Sequence, residues 1–290
     1  MSGFLQFLFS GITVGAIYAL VGLGFAIIYN ASHVINFAQG EFVMLGGMGT
    51  VFLMFAGLPM IVAAPLAVCL VVLVGLLLEK FAVEPARNAT VVTLIIITIG
   101  ASILIRGIVE VTFGKDFYRL PAFTGETAIM VGGAALQPQS LWILAVLGTV
   151  VAALRWFFER TKLGKAILAT SYNPLAAQLV GIETRTILLV SFGLSAALGA
   201  LAGILTAPIT LTKYDIGIML GLKGFAAAIL GGLGSSYGAV AGGLLLGVIE
   251  AMSAGYISSA YKDAVAFLII LGVLFFMPSG LFGARRTERV

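Results

Sequence analysis

Long apolar segments separated by short polar connections make up most of this 290-residue chain. A helix that crosses a bilayer needs about 20 mainly apolar residues. Nine segments of roughly that length cover residues 5–29, 34–56, 59–78, 90–109, 139–158, 186–211, 217–234, 237–259 and 264–278. The pattern predicts an all-α integral membrane protein, a polytopic bundle of about eight to nine transmembrane helices. Because segment 217–234 contains a lysine and many glycines, we expect either a full span or a broken or re-entrant segment there.

The composition supports a membrane protein and excludes several other classes. Hydrophobic residues make up 61% of the chain and charged residues 10%, with a mean hydropathy of +1.15, whereas soluble domains have about 45–50% apolar and about 25% charged residues. The net charge of +4 is not gathered into a basic patch, so no nucleic-acid partner is expected. The single cysteine, Cys69, excludes a disulfide framework and a cysteine metal cluster.

Lys and Arg are distributed unevenly between the connections, and cytoplasmic loops carry an excess of these residues. If nine spans cross and the N-terminus lies outside, ten basic residues fall on the cytoplasmic side and four on the opposite side. The ten are Lys80, Arg87, Arg155, Arg160, Lys162, Lys165, Arg185, Arg285, Arg286 and Arg289, and the four are Lys115, Arg119, Lys213 and Lys262. We therefore predict an outside N-terminus, a cytoplasmic C-terminus and a cytoplasmic segment 159–185, within one transmembrane domain covering residues 1–290. The N-terminal segment lacks the basic region of a cleaved signal peptide, so the first span is expected to be retained.

Glycine is enriched, with 37 residues against a usual share of about 7%. Small residues four positions apart let helix backbones approach closely in lipid. Five glycine pairs have this spacing: Gly11/Gly15, Gly199/Gly203, Gly217/Gly221, Gly238/Gly242 and Gly243/Gly247. Tight packing explains any single pair. For the cluster within 217–247, close packing around a pathway with freedom to shift is the alternative.

Glu41 is the only formally charged side chain among the first 78 residues and lies inside a predicted span. Acidic residues at such depth usually face a bundle interior or a cavity. At 100° per residue, Glu41 does not share a helix face with Asn36 and Gln39, which argues against a ligand cage of these three. Two compatible hypotheses remain open: Glu41 pairs with a distant cation, most naturally Lys223, or it lies on a polar path. Glu250 is a second candidate for a buried polar contact.

Other polar residues receive no functional role from the sequence. Arg106 and Arg155 lie near predicted span ends, from which their side chains can reach the interface. His33 is the only histidine and lies in a short connection, so no metal site is expected. The sequence contains no H-E-x-x-H, G-x-S-x-G or Walker A pattern, and we therefore expect no enzymatic activity and no cofactor bound by this chain.

A short capped helix is predicted within the connection 159–185. Asn173 is a favoured N-cap, Pro174 suits the first helical position, and Gly181 is placed as the C-terminal stop. Leu175 and Leu179 give this helix an apolar side. The pattern favours insertion into a groove on a cytoplasmic partner; the alternative is a helix that folds back on its own bundle.

The sequence resembles the permease subunits of the branched-chain amino acid ABC importers, the leucine, isoleucine and valine family. The resemblance covers most of the chain in the family's order. It rests on "VGLGFAIIYNASHVINFAQGEFVMLGG", "KLGKAILATSYNPLAAQLVGIETRTI", "GLKGFAAAILGGLGSSYGAVAGGLLLGVIEAMSAGY" and "YKDAVAFLIILGVLFFMPSGLFG". The family often has N-F-A-H-G-E in the first stretch, and Gln39 replaces that histidine here.

The resemblance implies a subunit that pairs with an identical or homologous permease, two cytoplasmic ATPases and an extracytoplasmic solute-binding protein in a bacterial inner membrane. ATP and Mg²⁺ would be used by the partner ATPases. The resemblance also implies that this chain has a coupling helix that docks on the ATPase. That helix would comprise Asn173, Pro174, Leu175, Ala176, Leu179 and Gly181. The translocation path or core polar contacts would involve Asn36, Gln39, Glu41, Lys223 and Glu250. The expected solute is a branched-chain or other small apolar amino acid; urea or a short-chain amide, or a stand-alone secondary transporter, are the alternatives.

Overall fold

The structure is a computed structural model that describes residues 2–87, 89–125 and 127–283. Helices dominate this part of the chain. In order they are α1 (Ser2–Ser32), α2 (Gln39–Phe55), α3 (Met60–Leu78), α4 (Val91–Phe113), α5 (Pro138–Arg160), α6 (Lys162–Tyr172), α7 (Pro174–Leu179), α8 (Thr184–Thr210), α9 (Ile216–Gly231), α10 (Ser236–Tyr256) and α11 (Lys262–Phe276). A π-helical turn (Glu79–Val83) and a 3-10 turn (Glu84–Ala86) continue α3.

Nine of these helices coincide with the nine predicted apolar segments, and α6 and α7 fill the connection 159–185. Within the described residues, six helices are long and apolar enough to cross a membrane: α1, α3 with its extension, α4, α5, α8 and α10. The helices α2 and α9 are apolar but shorter. The all-α polytopic class is therefore confirmed, while the number of eight to nine crossings stays a prediction. Arg285, Arg286 and Arg289, counted for the orientation, lie outside the described residues.

The connection between α4 and α5 carries a small antiparallel hairpin, β1 (Ile129–Val131) and β2 (Ala134–Leu136), with Ile129 opposite Leu136. The side-chain amide of Gln6 holds it against α1, because Oε1 accepts from the backbone N–H of Ala135 at 2.7 Å and Nε2 donates to its carbonyl at 3.1 Å. Upstream, Tyr118 exchanges two backbone hydrogen bonds of 2.8 Å with Thr212. This connection therefore ties α1 to the segment that follows α8.

Glycine contacts let the inner helices pack with their backbones touching. A Cβ atom on Gly15 of α1 would lie 2.8 Å from the carbonyl oxygen of Gly243 in α10, and one on Gly247 would lie 2.3 Å from the Cα of Gly15. Both distances are too short for a side chain. The predicted glycine pairs thus work as packing contacts, and α1 becomes the centre of the bundle. By contrast, α3, α4 and α11 carry many exposed apolar side chains, as lipid-facing helices do.

Two short helices begin in the middle of this bundle. The helix α2 begins at Gln39, whose side chain contacts Ser195 of α8, and the hydroxyl oxygen of Ser195 also lies 2.9 Å from the carbonyl oxygen of Gly24 in α1. Ser195 lies 11 residues after the start of α8, about 16 Å along its axis. The segment 33–38 before α2 therefore carries non-helical backbone deep into the protein.

The second such helix is α9, which follows the non-helical residues 211–215. Its first turn crosses the first turn of α2, since a Cβ on Gly40 would lie 2.2 Å from the carbonyl oxygen of Gly217. From this crossing α9 runs parallel to α1, with Gly224 packed on Val21, and α2 runs parallel to α8. Of the alternatives for segment 217–234, a break inside it is not observed, because Ile216–Gly231 is one continuous helix and the irregular backbone precedes it; a full crossing stays a prediction. Irregular backbone at such depth must be enclosed by protein or line a cavity, and Thr212 is buried.

Candidate functional site

A cavity of about 240 Å³ lies where α1, α2, α4 and α9 meet, beside the crossing of the two short helices. Glu41 lines it with only 1% of its surface exposed. The carboxylate sits in the first turn of α2, where the partial positive charge of the helix N-terminus favours an anion. Local backbone structure thus explains why an acidic residue is tolerated inside an otherwise apolar segment.

The helix α4 supplies the polar partners of this carboxylate. Ser102 Oγ donates to Glu41 Oε1 at 2.8 Å, and Arg106 Nη1 lies 3.9 Å from the same oxygen. Ser102 and Arg106 face Glu41 together because they lie four residues apart on one helix face. The second oxygen, Glu41 Oε2, is buried and has no hydrogen-bond partner among the residues that the structure describes.

Three phenylalanine rings form an apolar wall of the same cavity. Phe25 of α1 and Phe37 of the segment before α2 both contact Phe225 of α9, with ring centroids 5.5 and 5.7 Å apart. The cavity therefore combines one carboxylate, one guanidinium and an aromatic surface. Such a combination of apolar walls with a few convergent polar groups is typical of small-molecule sites.

Asn36 and Gln39 are buried but do not line this cavity. Asn36 Oδ1 accepts from the backbone N–H of Ala38 at 3.1 Å, which shapes the turn into α2. Gln39 Nε2 donates to the carbonyl of Ser195 at 3.1 Å, and Gln39 Oε1 accepts from the hydroxyl of that residue. The expectation that Asn36, Gln39 and Glu41 form no common ligand cage agrees with this geometry. The first two residues hold α2 in place.

The expected pairing of Glu41 with Lys223 is wrong. Lys223 Nζ lies 2.9 Å from Glu250 Oε1 in α10 and 2.8 Å from Asp263 Oδ1 in α11. Glu250 is further held by a 2.8 Å hydrogen bond from the Tyr18 hydroxyl. The physical reason is the helix geometry: Glu41 faces α4, where Arg106 is the nearer cation, while Lys223 faces the α10–α11 side of α9. Glu250 is buried and lies in contact with Lys223 and Tyr18.

The short helix α7 has the local structure that its sequence predicts. Asn173 Oδ1 accepts from the backbone N–H of Ala176 at 3.0 Å, Pro174 occupies the first position, and Gly181 adopts a φ of +87° after the last turn. Ala177 faces inward and is 3% exposed, whereas Leu175 and Leu179 are 69% and 82% exposed. The helix therefore does not fold its leucines back onto the bundle.

Comparison with known proteins identifies the family of this chain. Residues 7–274 match the family described as "Branched-chain amino acid transport system / permease component". This chain belongs to that family. It is 35% identical to the high-affinity branched-chain amino acid transport system permease protein LivH of Escherichia coli K12, over 99% of this chain and 98% of LivH. It is 33% identical to the corresponding protein BraD of Pseudomonas aeruginosa, again over 99% and 98% of the two chains.

Among solved structures, PsaBC from Streptococcus pneumoniae in complex with Fab has a similar fold. The TM-score is 0.52 with 14% sequence identity, and the match covers 98% of this chain and 94% of that one. At this identity the likeness concerns the fold alone. The resemblance inferred from the sequence is thus confirmed at the level of the family, and the protein is a transport permease of the membrane.

Sequence reasoning missed two residues of this permease's cavity, Ser102 and Arg106. Arg106 was assigned to a span end from which its side chain reaches the interface, but the guanidinium turns inward to Glu41. One signal was available: a buried acid needs a nearby cation, and α4 offers Arg106 four residues after a serine. Choosing between Arg106 and Lys223 still required the arrangement of α4 and α9 around α2. Asp263 and Tyr18 were missed for the same reason.

Proposed function

We propose that this chain is the membrane-spanning permease subunit of a binding-protein-dependent ABC importer in a bacterial inner membrane. It carries branched-chain or other small apolar amino acids into the cell. The printed names of the LivH and BraD relatives support the solute class. In this assignment the N-terminus lies outside, the C-terminus and segment 159–185 are cytoplasmic, and residues 1–290 form a single domain.

The observation that carries the proposal is the exposed apolar surface of α7. Two leucines on a capped helix of six residues have no stabilising role in the subunit itself, because their side chains face away from the bundle. An apolar helix face is a typical ligand for a groove on a partner protein. We assign α7 as the coupling helix that inserts into a cytoplasmic ATPase, one of two in the importer. ATP and Mg²⁺ bind there, because this chain has no Walker A sequence.

Transport proceeds by alternating access in this proposal. The ATPases close on ATP binding and move the coupling helices, and the resulting shift opens the path between the subunit and a second, identical or homologous permease. Such a mechanism needs a packed element with two discrete arrangements. The crossing of α2 and α9 at Gly40 and Gly217 supports this role, because two smooth backbone surfaces can slide where side chains would interlock. An extracytoplasmic binding protein delivers the solute, and lipid covers the apolar outer faces.

The test replaces Leu175 and Leu179 together by Asp in the complete importer. Docking then buries two unpaired carboxylates, which costs well over about 1.4 kcal/mol, so the ATPase that co-purifies should fall by at least about tenfold. ATP-driven leucine uptake should be lost while the permease stays inserted. Leu163→Asp is the matched control, since Leu163 is a half-exposed leucine of α6, and we expect it to retain the ATPase. Undiminished ATPase recovery with the double variant would refute the docking assignment.

A second candidate is a stand-alone secondary transporter, which the unpartnered oxygen of Glu41 favours as an ion or proton site. The two candidates differ in their energy source. The permease alone, reconstituted in liposomes, should accumulate nothing against a gradient if the importer assignment holds. Gradient-driven accumulation without ATPase would replace it by the secondary transporter. Competition of uptake by leucine, urea and acetamide separates the amino-acid assignment from urea or short-chain amides.

A further inference from the structure

The polar groups of the cavity are arranged as two separate half-sites of opposite charge. The Glu41 carboxylate satisfies one oxygen with Ser102 and leaves Oε2 without a partner among the described residues. Arg106 approaches the satisfied oxygen only to 3.9 Å, which is longer than a hydrogen bond. No hydrogen bond joins its guanidinium to any part of the chain that the structure describes. The Glu41 side chain is 2% exposed and the Arg106 side chain 24% exposed, and the two charges pair only loosely with each other.

The cationic half-site has a second source of positive potential. The cavity wall includes Gly217 and Ile218 from the first turn of α9 and Gly40 from the first turn of α2. The partial positive charge at helix N-termini favours anions, and the backbone N–H of Ile218 is itself bonded to the carbonyl of Asp215. Together with Arg106 the two helix N-termini suit a carboxylate. The unpartnered Glu41 Oε2, in turn, suits an ammonium group, because a carboxylate can only accept hydrogen bonds.

The size and the walls of the cavity fit the rest of an amino acid. A volume of about 240 Å³ is far more than the 10–15 Å³, roughly, that one bound water needs. The rings of Phe25, Phe37 and Phe225 lie beside the charged groups and offer an apolar surface to an aliphatic side chain. The ligand and the site also match in net charge. A zwitterion offers a charge of opposite sign to each group, whereas a neutral solute leaves Glu41 and Arg106 paired only loosely with each other, at 3.9 Å.

We infer that this cavity is a binding site for a zwitterionic α-amino acid with an apolar side chain, inside the permease itself. Arg106 binds the α-carboxylate, Glu41 Oε2 accepts from the α-ammonium, and the three phenylalanines contact the side chain. The inference rests on the proposed function and adds to it a selective binding site on the translocation path. It also distinguishes amino acids from urea and short-chain amides, which carry neither charge.

The experiment measures equilibrium binding to the permease–ATPase complex in lipid nanodiscs without the solute-binding protein. Three ligands separate the half-sites: leucine, 4-methylpentanoate without the ammonium, and 3-methylbutylamine without the carboxylate. The wild-type complex should bind leucine about tenfold to a hundredfold tighter than either analogue, the range for losing one hydrogen bond to a charged group. Equal binding of the three ligands would overturn the inference, and this comparison needs no variant to fold.

Variants then assign each half-site to its residue. Glu41→Gln should weaken leucine about tenfold or more and leave 4-methylpentanoate unchanged, and Arg106→Gln should weaken leucine and leave 3-methylbutylamine unchanged. Glu110→Gln is the control, because Glu110 lies on the same helix and pairs with Lys115 at 2.8 Å outside the cavity. A purely structural role would weaken all three ligands equally and would refute the assignment. ATP-driven uptake by the complete importer tests the proposed function separately, so either statement can fail while the other stands.

Discussion

The buried charge network around Lys223 allows a quantitative prediction about stability. Lys223 of α9 contacts Glu250 of α10 and Asp263 of α11, and Glu250 also receives a hydrogen bond from Tyr18 and lies 3.4 Å from Lys262. The network therefore joins four helices. We expect it to stabilise their arrangement mainly through the cost of removing a single member, since a broken buried pair leaves a charge without compensation.

The magnitudes follow from what each substitution leaves behind. Lys223→Met leaves the Glu250 carboxylate, 7% exposed, with Lys262 as its one cation partner among the described residues. Because Lys262 remains, we expect a loss of about 3 kcal/mol, the low end for breaking a buried pair. Glu250→Gln keeps the shape and leaves Lys223 paired with Asp263, so about 1–2 kcal/mol is expected. The double variant should lose about 3 kcal/mol, less than the sum by about 1–2 kcal/mol.

The assay is equilibrium unfolding of the purified permease in mixed detergent–lipid micelles, with folded fraction measured for the wild type, both single variants and the double variant. Glu41→Gln combined with Lys223→Met is the control cycle. Its effects should add within about 0.5 kcal/mol, because the two residues have separate partners. Additivity in the Glu250 cycle, or coupling in the Glu41 cycle, would refute the charge network described for this permease.

Two further predictions concern packing and capping. Gly247→Ala should destabilise by about 1–3 kcal/mol, because its Cβ would lie 2.3 Å from the Gly15 backbone, whereas Gly148→Ala, with no atom within 4 Å, should be neutral or slightly stabilising; equal thermal shifts of the two variants would contradict the close α1–α10 contact. Asn173→Ala should remove the cap of α7 at a cost of about 0.5–2 kcal/mol and weaken ATPase co-purification, while Asn173→Asp should preserve it; an unaffected Asn173→Ala complex would show that the cap is dispensable.

Local sequence signals predicted local structure well. The apolar runs mark nine helices of the described chain because desolvation of a helix in lipid depends only on its own residues. The bounds of α7 follow from Asn173, Pro174 and Gly181 for the same reason, since a cap and a stop act within a few residues. The exposure of Leu175 and Leu179 also agrees with the prediction that the apolar side of this helix is available to a partner protein.

Long-range contacts could not be predicted in this way. Choosing Arg106 rather than Lys223 as the partner of Glu41 depends on which helix packs against which face of α2, and hydrophobic periodicity is nearly uniform around lipid-buried helices. The irregular backbone before α9 was not predicted, for a related reason. Glycines within 217–234 suggested a break there, but Gly217 and Gly221 serve contact with Gly40, and the helix runs through them. Glycine content alone does not distinguish a helix that breaks from a straight helix that another helix contacts closely.

The neighbouring residues Gly40 and Glu41 connect the packing of the bundle with the chemistry of the cavity. Gly40 lets α9 touch the first turn of α2, and Glu41, the next residue, projects from that turn into the cavity whose other wall includes Gly217 and Ile218 of α9. Any movement of α9 along α2 therefore changes the distance between the Glu41 carboxylate and the α9 N-terminus. A side chain at position 40 would separate the helices and uncouple the two. The residue of the close helix contact and the charged residue of the cavity are thus adjacent in the sequence, which is what the proposed mechanism requires.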